Sequence, residues 1–262
     1  MVQDTKRYTV ITGASSGIGY ETAKAFAERG NNLILVARRK DRLEALRREI
    51  LTSYPTRDIV LKVTDLSVPQ NVFGLYEDVK SYPLQTWINN AEFGNYDSVG
   101  HQNLGKISQM LHLNVEALTV LSSLFVRDFK DTENAQLINV SSCGGYTVVP
   151  NAVTYCAAKF YVSAFTEGLS WELKSAHAKM QAKVLAPAAT KTEFGKVAND
   201  VAEYDYDKLF GTYHTSAQIA AFLLELYDSD KVVGLVDREN FSFHLCEPQF
   251  QYAGNSQHNQ KM

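Results

Sequence analysis

The sequence predicts one α/β domain, a doubly wound parallel sheet with helices on both faces in three layers. Three observations carry this. The run 8–12, rich in β-branched residues, ends in a glycine-rich turn, after which Ile18, Ala23, Phe26 and Ala27 recur at helical spacing. The continuously apolar run 31–37 suits a parallel strand buried on both faces. Strand-like and helix-like stretches then alternate, with no linker composition to divide the 262 residues. A single domain over 1–250 and a polar tail over 251–262 are expected.

The first strand-to-helix junction is suited to an anion. Unpaired backbone N–H groups and the positive end of the helix dipole converge there, and glycine lets a phosphate approach without meeting a Cβ. The turn has no Gly-Lys-Ser/Thr ending, so it is not a loop for a nucleoside triphosphate. Its glycines at 13, 17 and 19 also miss the plain G-x-G-x-x-G register.

Composition narrows the partners. With 26 basic and 29 acidic residues the net charge is −3, which gives no electrostatic footprint for nucleic acid. Six histidines lack metal-ligand spacing, so no metal is expected. Three cysteines, Cys143, Cys156 and Cys246, suit reduced thiols better than a disulfide framework. The N-terminus lacks the apolar stretch of a signal peptide, and the sequence reads as having no apolar run of bilayer length. A cytoplasmic protein acting on a small molecule, away from membranes, is the expectation.

Arg38 and Arg39 stand at the tip of the second strand, about 20 residues beyond the glycines, where an acidic residue would hold ribose hydroxyls. A carboxylate there repels a 2′-phosphate and an arginine binds it, so the pair predicts NADP(H) over NAD(H). Arg39 also opens a helix over 39–52. A strand over 58–64 runs into Asp65, and a helix follows near 69–81. The segment 86–92 carries Asn89-Asn90-Ala91-Glu92. Residues 104–130 read as one helix with an apolar stripe of Met110, Leu113, Ala117, Val120, Leu121 and Leu124, interrupted by Asn114.

A fifth strand over 136–141 leads into Ser142. Tyr155 and Lys159, four residues apart, share a helical face. A phenol working near neutrality must be lowered from a pKa of about 10, worth about 4 kcal/mol, and a neighbouring ammonium supplies part of that. The helix 155–177 carries Phe160, Tyr161, Val162, Phe165, Leu169, Trp171 and Leu173, more than one apolar stripe, which predicts cover from a second subunit. The strand 180–186 exits through Pro187 and Ala188 towards Thr192. Residues 195–214 form the expected substrate lid, rich in aromatic rings. A helix over 216–228 and a strand around 241–245 finish the sheet.

Taken together, Thr12-Gly13-x-x-x-Gly17-x-Gly19, Asn89-Asn90-Ala91, Ser142, Tyr155-x-x-x-Lys159 and Pro187 to Thr192 resemble the short-chain dehydrogenase/reductase family, a Rossmann-like fold, over residues 8 to about 194. The resemblance implies that Gly13, Ser15, Ser16, Gly17, Ile18 and Gly19 line the diphosphate and that Asn90 and Ala91 flank the cofactor. It implies that Asp65 meets the adenine edge, although an aspartate capping the next helix explains that residue equally well. Thr192 would meet the nicotinamide carboxamide, beside Pro187, or else cap an exit turn.

The implied catalytic set is Ser142, Tyr155, Lys159 and Asn114. Tyr155 exchanges a proton with the substrate oxygen while Ser142 hydrogen-bonds it. Lys159 holds the nicotinamide ribose, and the Asn114 side chain helps bind a water leading to that lysine. Family members form dimers or tetramers, so a homodimer or homotetramer is expected. Two departures stand out, Glu92 and Ala188, each where glycine is usual. They leave room for another reading, a catalytically silent NADP(H)-binding sensor or scaffold, against which the complete Ser142, Tyr155 and Lys159 set argues.

Overall fold

A computed structural model describes residues 7–253. The chain runs β1 (Tyr8–Thr12), α1 (Gly17–Glu28), β2 (Asn32–Ala37), α2 (Lys40–Ser53), β3 (Ile59–Val63), α3 (Pro69–Val79), β4 (Leu84–Asn89) and α4 (Leu104–Leu111). A π-helical segment, His112–Ala117, joins α4 to α5 (Leu118–Phe129). Then come β5 (Gln136–Val140), α6 (Val153–Ser175), β6 (Gln181–Ala186), β7 (Thr190–Lys191), α7 (Phe194–Asn199), α8 (Tyr206–Phe210), β8 (His214–Thr215), α9 (Ser216–Asp228), β9 (Val233–Val236) and β10 (Phe243–Cys246).

The main sheet has the order β10-β9-β6-β5-β4-β1-β2-β3. The order in which successive strands are added reverses between β1 and β4, so a crevice opens beyond their carboxyl ends, where ligands bind in such sheets. Every pairing is parallel except β10 on β9. The expected parallel sheet therefore ends in an antiparallel hairpin. Its first strand, β9, is four residues long and contains Gly234, too short a run to read from periodicity.

Two apolar layers flank the sheet. On one face Phe26 and Ala27 of α1, Leu43 and Leu46 of α2, and Leu223 and Leu226 of α9 pack on Ile11, Leu33 and Leu35. On the other, Leu75 and Tyr76 of α3, Leu121 and Phe125 of α5, and Leu173 of α6 pack on Val10, Ile34 and Trp87. A buried polar network fixes two helices to the second face. Asn89 Nδ2 donates to Asn139 Oδ1 at 2.9 Å and to Ser122 Oγ at 3.1 Å, and Asn139 Nδ2 donates to Thr166 Oγ1 at 2.9 Å. Each partner is satisfied in a dry interior, so the network sets the register of α5 and α6 against β4 and β5.

Two expectations change. The helical run Leu104–Phe129 is long and apolar enough to cross a membrane, which the sequence reading had not registered. Its stripe of Met110, Ala117, Leu121 and Phe125 is buried within the fold. The surplus apolar surface of α6 is also partly covered by the chain itself. Phe250 packs on Phe160 at 6.3 Å and Tyr252 stacks on Trp171 at 5.1 Å between ring centres. Buried Glu167 of α6 holds this segment by accepting from the Gln249 and Phe250 backbone N–H groups at 2.6 and 2.8 Å. The packed fold thus reaches Tyr252, and the remainder of the expected polar tail, from 254 on, lies outside the described residues.

Candidate active site

The turn between β1 and α1 takes its shape from its glycines. Gly13 and Gly17 have φ of +71° and +60°, where an L side chain is strained. A Cβ on Gly19 would sit 2.5 Å from Asn90 Nδ2 and 2.6 Å from the Gly13 carbonyl oxygen. Asn90 supports the turn from below, donating from Nδ2 to the Thr12 carbonyl at 2.9 Å. Thr12 Oγ1 accepts from the Asn90 and Ala91 backbone N–H groups, both at 3.0 Å. Thr12 is a site residue that the spacing of the glycines alone did not single out; its hydroxyl ties the turn to the end of β4.

A cleft of about 230 Å³ lies over this turn, lined among others by Ser15, Ser16, Ile18, Arg39, Asp65 and Glu92. Arg39 reaches into it. Its Nη2 donates to Ser16 Oγ at 2.7 Å and Ser15 Oγ at 3.1 Å, and its Nη1 to Glu193 Oε2 at 2.8 Å. Arg42 pairs with the other oxygen of Glu193 at 3.0 Å. Glu193, unforeseen in the sequence, is held below the usual carboxylate range: burial opposes the charge, but Arg39 and Arg42 outweigh it.

Arg38 also lines the cleft, its side chain 65% exposed and 3.8 Å from Asp65. Asp65 accepts from the Ser67 N–H at 3.0 Å and hydroxyl at 2.7 Å, a turn cap on the cleft wall. Burial works against its charge, and Ser67 and Arg38 still hold it below its ordinary range.

The cleft opens onto a second pocket of about 450 Å³, and Ile18, Glu92, Thr192 and Phe194 line both. Ser142 and Tyr155 face this second space. Ser142 follows β5, and its Oγ accepts from the Gly144 N–H at 3.1 Å. Tyr155 and Lys159 are buried on α6, at 5% and 2% exposure. Lys159 Nζ donates to the Val140 carbonyl at 2.8 Å and lies 2.5 Å from Glu92 Oε2. The same carboxylate oxygen accepts from the Tyr155 hydroxyl at 3.1 Å.

This arrangement corrects one expectation. Lys159 is expected to supply part of a downward shift, yet Tyr155 is pushed well above its ordinary pKa, by burial first and by the Glu92 charge second. Glu92 neutralises the ammonium and adds a negative charge beside the phenol. Backbone geometry is not the obstacle at either departure from glycine, since neither Glu92 nor Ala188 has a positive φ.

Asn114 sits in the π segment, buried, and its amide is engaged by Phe93. Nδ2 donates to the Phe93 carbonyl at 2.9 Å, and Oδ1 accepts from the Phe93 N–H at 3.2 Å. The side chain expected to help bind a water thus also fixes the loop that carries Glu92. Thr192 Oγ1 accepts from the Phe194 N–H at 3.0 Å, closing the turn that leads into α7, while Thr192 lines both cavities. The Pro187 carbonyl accepts from the Cys143 N–H at 2.8 Å, joining the exit of β6 to the turn that holds Ser142.

Aromatic residues roof the second pocket. Tyr96 and Phe194 pack on Tyr155 at 5.9 and 5.3 Å between ring centres. Tyr204, Tyr206 and Phe210 from the 195–214 stretch line the pocket too. Gly195 permits this, because a Cβ there would fall 2.4 Å from the Tyr204 ring.

A family model described as short chain dehydrogenase matches residues 7–202. The chain belongs to the short-chain dehydrogenase/reductase family. An uncharacterized oxidoreductase of Staphylococcus saprophyticus is 30% identical over 207 residues, 78% of this chain and 82% of that one. A short-chain dehydrogenase from Sphingobium yanoikuyae, solved in complex with NADPH, superposes with a TM-score of 0.80 at 28% identity, covering 87% of this chain and 86% of that one. An alcohol dehydrogenase from Comamonas testosteroni specific for bulky-bulky ketones gives 0.76 at 25% identity, covering 88% and 86%. The fold and family make the chain an oxidoreductase of the hydride-transferring class acting on small molecules, with a nucleotide cofactor.

Proposed function

We propose that the protein is an NADP(H)-dependent reductase or dehydrogenase that interconverts a ketone or aldehyde and its alcohol, with Tyr155 as proton donor and acceptor. The observation that carries this reading is the position of Ser142 and Tyr155 at a pocket sharing four wall residues with the glycine-rich cleft. The residues of the cleft fit a dinucleotide. Gly13, Gly17 and Gly19 let the turn close on Asn90, Ala91 and Thr192 at the N-terminus of α1, a place suited to a diphosphate, and Arg39 with Ser15 and Ser16 forms a donor cluster suited to a 2′-phosphate. NAD(H) is the weaker fit, because its 2′-hydroxyl gives that cluster no charge to pair with.

A bound nicotinamide supplies or accepts the hydride. Ser142 Oγ holds the substrate oxygen, Tyr155 Oη exchanges the proton with it, and Lys159 holds the nicotinamide ribose. The aromatic roof favours a bulky apolar carbonyl compound, in line with the bulky ketones of the Comamonas enzyme. The 195–214 stretch acts as the lid. A cytoplasmic homodimer or homotetramer fits α6, where Tyr161 is exposed and stacks on Phe165.

A second reading, a silent NADP(H)-binding sensor or scaffold, is favoured by one observation, the carboxylate of Glu92 on both Tyr155 and Lys159. NADPH oxidation across ketones, aldehydes, keto acids and sugars separates the two. Turnover that disappears in Tyr155→Phe supports the enzyme. NADPH binding with no turnover on any of them supports the sensor.

A further inference from the structure

We propose that Glu92 is a proton-relay residue, the group that exchanges the catalytic proton with Tyr155 on the side away from the substrate. The inference rests on the hydride-transfer reading above and deepens it. Glu92 stands where the family has glycine, and one oxygen of its carboxylate contacts both reacting side chains, at 3.1 Å from the Tyr155 hydroxyl and 2.5 Å from Lys159 Nζ. Tyr155 and Lys159 are buried, whereas the Glu92 side chain is 21% exposed and lines the cleft as well as the substrate pocket. It therefore gives the buried phenol a route to water.

Charge explains why a route is needed. If Tyr155 gave up its proton while Glu92 stayed ionised, a phenolate and a carboxylate would share one ammonium in a dry site. Among the described residues, the ionisable groups that act on Glu92 are Tyr155 and Lys159 from α6 and Tyr96 from its own loop. Among the described residues, Lys159 is the cation that touches the carboxylate. The second negative charge disappears if the Glu92 proton moves onto Tyr155 as the Tyr155 proton leaves.

In reduction, the carbonyl carbon gains a hydride, the C=O π bond breaks, and the new alkoxide oxygen takes the proton from Tyr155 Oη. Tyr155 Oη takes the proton from Glu92, and the resulting carboxylate remains paired with Lys159 until it regains a proton from solvent. In oxidation the alcohol proton passes to Tyr155 as the Tyr155 proton passes to the Glu92 carboxylate, and the hydride leaves to the nicotinamide. Reduction thus requires Glu92 protonated and oxidation requires it ionised. The side chain of Asn114, engaged by the Phe93 backbone, takes no part.

Two measurements on the full-length protein test this. The first is the pH profile of kcat in both directions for wild type, Glu92→Gln and Glu92→Gly. Wild-type reduction should fall and oxidation rise with pH through a shared midpoint, and Glu92→Gln should abolish that opposition and lower kcat about 10²-fold with KM changed little. The second needs no turnover: phenolate absorbance in a pH titration, where Glu92→Gly should introduce a tyrosine ionising below those of wild type, lost again in Glu92→Gly with Tyr155→Phe. A Glu92→Gln enzyme with wild-type kcat and pH profile overturns the relay while leaving the hydride-transfer reading intact, provided Tyr155→Phe is inactive. Absence of turnover in wild type overturns both, and an unchanged phenolate titration removes the coupling on which the relay depends.

Discussion

Arg39 donates from Nη1 to the Glu193 carboxylate at 2.8 Å, across the cleft that the glycine-rich turn forms. The pair joins the tip of β2 to the start of α7, so the charge proposed to meet a 2′-phosphate is already engaged. A phosphate entering there must displace Glu193 from Arg39 or share the guanidinium with it.

Arg39→Ala should therefore weaken NADP+ binding by about 10-fold or more, the value of a lost charge-assisted contact of about 1.5–3 kcal/mol, and change NAD+ binding little. Glu193→Gln should tighten NADP+ binding several-fold by removing the competing negative charge. Titration calorimetry with both nucleotides checks the pair. Equal effects on NADP+ and NAD+ would show that Arg39 does not select the cofactor. Arg38→Asp is the milder test, because Arg38 is exposed and its nearest acid is Asp65 at 3.8 Å.

Tyr155→Phe should lower kcat by about 10³-fold or more, and Ser142→Ala by about 10²-fold, with NADPH affinity within about threefold of wild type. Binding can survive because neither side chain lines the glycine-rich cleft. Fluorescence of bound NADPH and steady-state rates measured on the same samples separate catalytic loss from unfolding. A Tyr155→Phe enzyme that retains turnover would remove the tyrosine from the mechanism.

Lys183 gives a stability effect with a defined sign. Its ammonium is buried in β6 and donates to the Leu226, Tyr227 and Ser229 carbonyls at 3.0, 2.9 and 2.7 Å. Burial pushes its pKa down to about 8 from an ordinary value of 10.5. Between those values the unfolded chain binds more protons than the folded one, so this lysine's contribution to stability rises with pH across that window and is lost as pH falls to about 8. Wild type minus Lys183→Met, compared by denaturant unfolding at pH 7.5 and 10, should move in favour of wild type by on the order of 1–3 kcal/mol. A flat difference would mean that the three carbonyls offset burial fully.

Glu167→Ala should cost about 2–4 kcal/mol, because it strips acceptors from the Gln249 and Phe250 N–H groups and from the Tyr146 hydroxyl at 2.5 Å. The released segment should become the first site of protease cleavage, ahead of any cut in the sheet. Proteolysis followed by mass spectrometry reads this directly. An unchanged cleavage pattern would show that the Phe250 and Tyr252 stacking suffices by itself.

The alternation of apolar periods made the sheet, its helices and the glycine turn legible, because each is encoded in neighbouring residues. Helix 216–228 was placed to the residue by its pattern, and Tyr155 and Lys159 met on one face because four residues nearly complete a turn. What could not be read are meetings between distant side chains. Glu92 drew notice only as a misplaced residue; its contact with Tyr155 joins positions 63 apart. Arg39 and Glu193 are 154 apart, and Glu167 and Gln249 are 82 apart. Lys183 looked like one polar residue in an apolar strand, and the carbonyls that receive it belong to the end of α9. The π segment around Asn114 has no periodic signature in six residues.

The short ladder of β7 and β8 pairs Thr190 with His214 and Lys191 with Thr215. Everything between those pairs is a stretch of chain whose two ends are stapled together outside the main sheet. Phe194, near its start, packs on Tyr155, whereas Tyr204, Tyr206 and Phe210 further along line the pocket: insertions or exchanges between 200 and 212 should reshape which molecules are admitted without shifting Ser142, Tyr155 or Lys159. Transplanting that loop from another family member should carry substrate range across as a module, while the proton and cofactor chemistry stays with the host.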